Sequence, residues 1–202
     1  EYKAKGSLSY KISGANSLTA SVAYMQQAPS FQSSFVSPRT RNSVTPNLTA
    51  EKVFSADLTY DLHVGGFKAR VSGYYTTIED RSKVISFYDD LQATFTNFAM
   101  SNIDSRYAGV EVGFSIPLFK FLNLNGAVSY GDYEYTSNPE FTQMIDNSAS
   151  DVVKSKVNWK GMKIESTPQT AVNVGLSFRS GTSWFINANL NYYDNLYLSM
   201  NP

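Results

Sequence analysis

With 202 residues the chain has the length of one domain, yet only 17% of it is charged while 14% is aromatic, including 14 Tyr and 13 Phe. Charge is roughly 25% in an ordinary soluble domain, and no stretch approaches the roughly 20 consecutive apolar residues of a membrane helix. Seventeen basic residues balance seventeen acidic ones and Cys is absent, which argues against nucleic acid as a partner and excludes a disulfide framework or thiolate metal site.

What remains is a chain that hides apolar side chains at every second position, and the alternation is legible from the start. Ala4, Gly6, Leu8, Tyr10 and Ile12 face one way, Lys5, Ser7, Ser9 and Lys11 the other. After a turn at Gly14-Ala15-Asn16, Leu18, Ala20, Val22 and Tyr24 oppose Ser17, Thr19 and Ser21. A second hairpin sets Phe54, Ala56, Leu58, Tyr60 and Leu62 against polar neighbours, turns at Gly65-Gly66, and returns through Phe67, Ala69, Val71, Gly73 and Tyr75. The third runs from Ala108 to Leu118, turns near Phe119-Lys120, and continues through Leu122, Leu124, Gly126, Val128 and Tyr130. The fourth pairs Val172, Val174, Leu176 and Phe178 with Trp184, Ile186, Ala188, Leu190 and Tyr192 across Ser180-Gly181-Thr182.

Short turns alternate with long loops at about 26–49, 79–105 and 136–168. Soluble domains seldom carry three loops of that length, whereas outer-membrane barrels have short periplasmic turns and long extracellular loops. Tyr24, Tyr75, Tyr130 and Tyr192 follow the short turns at similar intervals, and at roughly 3.3 Å per residue this spans about 20–25 Å of membrane. With Trp184, they predict aromatic girdles; Phe67 and Phe121 also sit just past short turns. The expected class is all-β: about eight antiparallel, up-and-down transmembrane barrel strands in one unit covering 1–202. Residues 84–88 and 93–98 within the second loop look like strands continuing beyond the membrane, and 146–151 like a mobile polar run.

Asp57, Asp61, His63, Lys68, Arg70 and Glu111 share the polar parity and are expected to face the lumen, as wetted cross-strand charges or as part of a path. His63 is the only histidine. A catalytic reading would need Asp61 as orienter and Ser72 as nucleophile, and the rim position favours a structural role. Phe31, Phe35, Arg39, Arg41, Phe95, Phe98 and Trp159 lie in loops, where they would contact a ligand or pack the loops together. Neither a phosphate-binding Gly loop nor a calcium-loop spacing occurs, so no catalytic residue, metal site or cofactor is expected.

Two patterns resemble TonB-dependent outer-membrane receptors. Pro46-Asn47-Leu48-Thr49-Ala50-Glu51 opens a strand leading to Asp57-Leu58-Thr59-Tyr60, followed by Val71-Ser72-Gly73-Tyr74-Tyr75 and Ile78. Asn102-Ile103, Gly109-Val110-Glu111 and Leu122-Asn123-Leu124-Asn125-Gly126 follow in the order of the family, and Asn191-Tyr192-Tyr193-Asp194-Asn195 is similar to its later strands. The resemblance is good over about 40–135 and looser elsewhere. It implies a larger barrel of about 22 strands, a plug domain, a TonB-type energising protein, outer-membrane lipid around the wall and a surface lipoprotein as a further partner. The cargo would be a scarce nutrient: a siderophore, cofactor, glycan or peptide. No plug-like segment or energy-coupling box occurs within the sequence, and no leader precedes Glu1, so a leader is removed or the chain is an internal portion of a longer protein. An autonomous eight-stranded barrel with a structural or adhesin role and a soluble β-sandwich binding module are the alternatives.

Overall fold

The computed structural model describes residues 1–37, 42–90, 93–145 and 153–198. The strands are β1 (Tyr2–Lys11), β2 (Asn16–Gln27), β3 (Glu51–Val64), β4 (Phe67–Asp89), β5 (Thr94–Phe119), β6 (Leu122–Tyr135), β7 (Glu140–Ile145), β8 (Val153–Lys156), β9 (Thr170–Arg179) and β10 (Phe185–Asp194). One short helix, α1 (Phe31–Ser34), is capped by the Ser30 side chain accepting from the Ser33 N–H. All pairings between strands are antiparallel, in the order β1-β2-β3-β4-β5-β6-β9-β10, with β7 on β5 and β8 on β7. The eight strands of the main path are those expected from alternation, and the four short turns fall where expected.

Among the described residues there are ten strands, two more than expected, because the third long loop holds the additional pair β7 and β8. The segment 79–105, expected as a long loop in which 84–88 and 93–98 continue the strands, is mostly the continuation of β4 and β5, which pair out to Asp89 and Thr94. Alternation cannot be followed through it, because the register shifts between Ile78 and Lys83. Asp80 (φ 60) and Asn102 (φ 57) lie in the left-handed region at this level, which Asp and Asn tolerate better than other residues with a side chain. The extra residues reverse the parity, so that even-numbered Met100 and odd-numbered Ile103 enter the same cluster. In 136–168, β7 and β8 form a further hairpin on the edge of β5; the polar run 146–151 lies outside the described residues.

The main sheet has two unlike faces. One carries Leu8, Val22, Leu58, Val71, Val110, Val128, Val174 and Leu190, all exposed. Among the described residues no second layer packs on it, which speaks against the β-sandwich alternative. The other carries cross-strand polar pairs: Ser9–Thr19 at 3.0 Å, Ser55–Thr76 and Thr59–Ser72 at 2.8 Å, and Asn173 donating to Asn191 at 2.7 Å. A one-residue slip would exchange the faces, so register is strongly specified. Gly126 stands opposite Phe114, whose ring lies over it where a Cβ would go, so a larger residue there would have to displace the ring.

The four tyrosines occur on β2, β4, β6 and β10, always one strand apart along the path. The line of paired residues through Tyr24 reaches Thr77 on β4, two residues beyond Tyr75. From Tyr75 the line reaches Asp132, two beyond Tyr130, and from Tyr130 it reaches Asp194, two beyond Tyr192. Each step is thus two residues over two strand spacings, always in the same direction. At about 3.3 Å per residue and about 4.8 Å between strands, a level row of tyrosines requires strands tilted by about 35°, inside the range of membrane barrels. From Phe67 to Tyr75 the vertical rise is then about 22 Å, close to the apolar band of such barrels.

Buried hydrophobic side chains sit beyond this tyrosine row. Met100, Ile103, Tyr133, Tyr135, Trp159 and Ile164 form one cluster, and Val36, Ala99 and Met144 another. The molecule packs like a folded domain outside the row and like a bare sheet below it.

Candidate functional site

The apolar face carries no charge between the short-turn aromatics and the tyrosines, and it becomes charged one step beyond them. Lys52 lies two residues past Phe54, Arg106 two past Ala108, Asp132 two past Tyr130 and Asp194 two past Tyr192. Two of these charges are joined: Arg106 pairs with Asp132 at 3.0 Å and with Glu134 at 2.7 Å, and Lys163 joins them through Asp132 and, at 3.7 Å, Glu134. Lys163 comes from the segment after β8, whose backbone continues the sheet beside β6. There the Ile164 N–H donates to the Tyr133 carbonyl at 3.1 Å and the Tyr135 N–H to the Met162 carbonyl at 2.9 Å. The network therefore clamps the third long loop to the end of the sheet.

On the polar side beyond the row, the Lys83 ammonium and the Tyr135 hydroxyl donate to Glu165 at 2.9 and 2.7 Å. Arg81 donates to both oxygens of Glu51, at 2.8 and 3.4 Å. Gln169 binds the backbone of Tyr133 twice, accepting from its N–H at 2.8 Å and donating to its carbonyl at 3.1 Å. Sequence reasoning missed these clamps. Part of the signal was available: on the apolar parity charge returns at Lys52, Arg106, Asp132 and Asp194, just past the level of the tyrosine row.

Desolvation acts to raise the Glu165 carboxyl, but hydrogen bonds from Tyr135 and Lys83 outweigh it and hold the group below its ordinary value of 4.5. Asp132 is lowered by the Lys163 hydrogen bond, and Lys163 is raised by the same contact. A depressed carboxyl stabilises the loop above its unfolded value and loses that contribution as pH falls through the folded one. Hydrogen exchange of the amides at 157–169 should therefore accelerate on acidification below about pH 4.5, relative to those of β9. Equal acceleration in both segments would refute the local clamp.

The expected lumen residues all fall on the polar face. Asp61 stands opposite Arg70, whose Nε donates to it at 2.7 Å, and His63 stands opposite Lys68. Asp57 is opposite Tyr74, and Glu111 opposite Ser72. The hydroxyl of Ser72 is bonded to Thr59 and Asp61 to Arg70, so the three groups of the catalytic reading of His63 are not assembled. Exposed cross-strand pairs such as Asp61–Arg70 contribute under about 1 kcal/mol each.

The loop aromatics divide into two groups. Phe31 is 69% exposed in α1 and meets Phe35 at 5.0 Å between ring centroids, and Phe95, 53% exposed, meets Tyr88 edge-on at 5.3 Å. Phe98 is buried, stacked on Phe87 and tilted against Phe141, and Trp159 is 2% exposed and packed on Tyr135 at 4.8 Å. Of the two roles considered for loop aromatics, Phe98 and Trp159 occupy the packing one. Arg39 and Arg41 lie outside the described residues. Trp184 is exposed at the opposite end, 5.1 Å from Phe178, and Tyr24, Tyr75, Tyr130 and Tyr192 form the row already described.

A family model described as TonB dependent receptor-like, beta-barrel, matches residues 4–200. No curated protein and no solved structure matches the chain.

Proposed function

Because the chain belongs to the TonB-dependent receptor family, in its β-barrel portion, we propose that it forms eight membrane-crossing strands of the wall of an outer-membrane transporter. In this reading the apolar face meets lipid and the polar face meets the lumen and a plug domain. A TonB-type protein supplies energy for import of a scarce nutrient, captured at the end where the long loops fold together.

The observation that carries this reading is the tyrosine row with its uncharged band. The tyrosines step two residues per two strands. A tilt of about 35°, within the range of membrane barrels, therefore brings all four level and has them bound about 22 Å of apolar face, as a bilayer demands. The open path supports a sector of a larger barrel: among the described residues, β1 and β10 each pair with one neighbour only. Unpaired backbone in hydrocarbon costs several kcal/mol per group, so both edges call for further strands. Closing the path into eight strands would require β1 to pair with β10.

The chain has no Cys, which makes accessibility a direct test. In outer membranes, Val110→Cys should resist a water-soluble maleimide and be modified by a lipid-dissolved one, while Ser129→Cys should show the reverse. Comparable aqueous labelling at both positions would refute the assignment of faces.

A further inference from the structure

Beyond the tyrosine row, a cavity of about 370 Å³ lies between the start of the β2–β3 connection and the bulged part of β4, a size in the range of small-molecule sites. We propose that it is a binding site for a neutral, polyhydroxylated ligand such as a stretch of uncharged oligosaccharide. The inference rests on the transporter reading and specifies one class of cargo for it.

The charged groups that line the site already have partners, Lys52 reaching Asp80 from outside the lining. Glu51 is held by Arg81 and Asp80 by Lys52, whose Nζ lies 2.8 Å from the carboxylate. The Asp80 N–H also donates to Asp104 at 2.9 Å, which fixes the bulge on which the wall is built. With two carboxylates and two cations already joined, an ionic ligand of either sign meets repulsion as well as attraction. Among the described residues no group of three or more His, Cys, Asp or Glu could hold a metal ion, so a bare cation has no ligand set here.

The groups still open are neutral. Gln27 and Thr49 line the cavity and have exposed side chains, and each can both donate and accept. Ser82 lines it too, and its shielded hydroxyl has no partner, which is unfavourable until something supplies one. Ser30 and Ser33, bonded to each other at 3.0 Å, add a further hydroxyl pair from α1. Sugar hydroxyls offer the same alternation of donor and acceptor. Phe31, next in the chain to Ser30 and largely exposed, provides an apolar ring on the same loop.

The test uses the whole receptor extracted in detergent from outer membranes and applied to an array of neutral and acidic oligosaccharides, with titration calorimetry on the strongest binder. Selective retention of a neutral oligosaccharide is expected. Thr49→Val and Ser82→Ala should each weaken binding at least tenfold, while Ser177→Ala, on β9, should not. Ser82→Ala should not lower the unfolding temperature, since the hydroxyl it removes has no partner without ligand; a structural role would lower it. No retained oligosaccharide, preference for acidic ones, or wild-type affinity in both variants overturns the site. A protein absent from the outer-membrane fraction overturns the transporter reading itself, a result distinct from a membrane-embedded receptor that binds no sugar.

Discussion

Val71→Arg is expected to abolish assembly in the outer membrane, while Ser72→Arg, the adjacent residue, leaves assembly intact. Val71 lies four residues below Tyr75 on the exposed apolar face, between Tyr60 and Val112. With the tilt derived from the tyrosine row, that depth is about 11 Å, half of the apolar band. Arginine at the midplane of a barrel costs about 2–4 kcal/mol, falling toward zero at the interfaces. Ser72 points to the opposite face, opposite Glu111, where a guanidinium gains a carboxylate neighbour and stays in water. Val128→Arg, only two residues below Tyr130, should show an intermediate defect and Asn125→Arg, on the polar face, none. The yield of folded, heat-modifiable protein in outer membranes reads all four. If adjacent residues on β4 tolerated arginine equally, the face assignment would be wrong; if depth made no difference, the tilt would be.

That experiment probes what the sequence states most clearly. Side chains on a strand have a period of two, so Leu58 and Asp57 declare their faces without tertiary information. The four tyrosines could be picked out by their distance from the turns, but their common height needed the register, because a tilt is visible only when residues are paired across strands. The end beyond the row was harder to read for a different reason. At Asp80 and Asn102 the backbone enters the left-handed region and parity reverses, and no alternation rule predicts where that happens. Glu165 and Lys83 are 82 residues apart in the chain, and nothing local in either segment announces their contact. Trp159 shows the limit most plainly: its neighbours in sequence are polar, yet it is among the most buried side chains described.

Trp159→Ala should release the third long loop without dissolving the barrel. Trp159 packs on Tyr135 within a cluster that includes Met100, Ile103, Tyr133 and Ile164. Removing a buried Trp side chain costs about 3–5 kcal/mol. That exceeds what the surrounding ion pairs supply, since Lys163 and Lys83 are each about a third or more exposed and such pairs are weak in water. The loss falls on one local unit, because the strands below the tyrosine row have their own backbone pairing and the bilayer to hold them. Cleavage by external trypsin at Lys154, Lys156, Lys160 and Lys163 tracks the population of the opened loop when closing is fast. It should rise by about a hundredfold or more, up to the point where the loop is open all the time. Trp184→Ala is the control, since that side chain is exposed at the other end of the sheet. Conserving the ring with Trp159→Phe should recover much of the protection. Unchanged trypsin sensitivity in Trp159→Ala would mean that Glu165, Lys163 and the backbone bonds beside β6 hold the loop alone, and the aromatic cluster would lose its role as the anchor of the captured end.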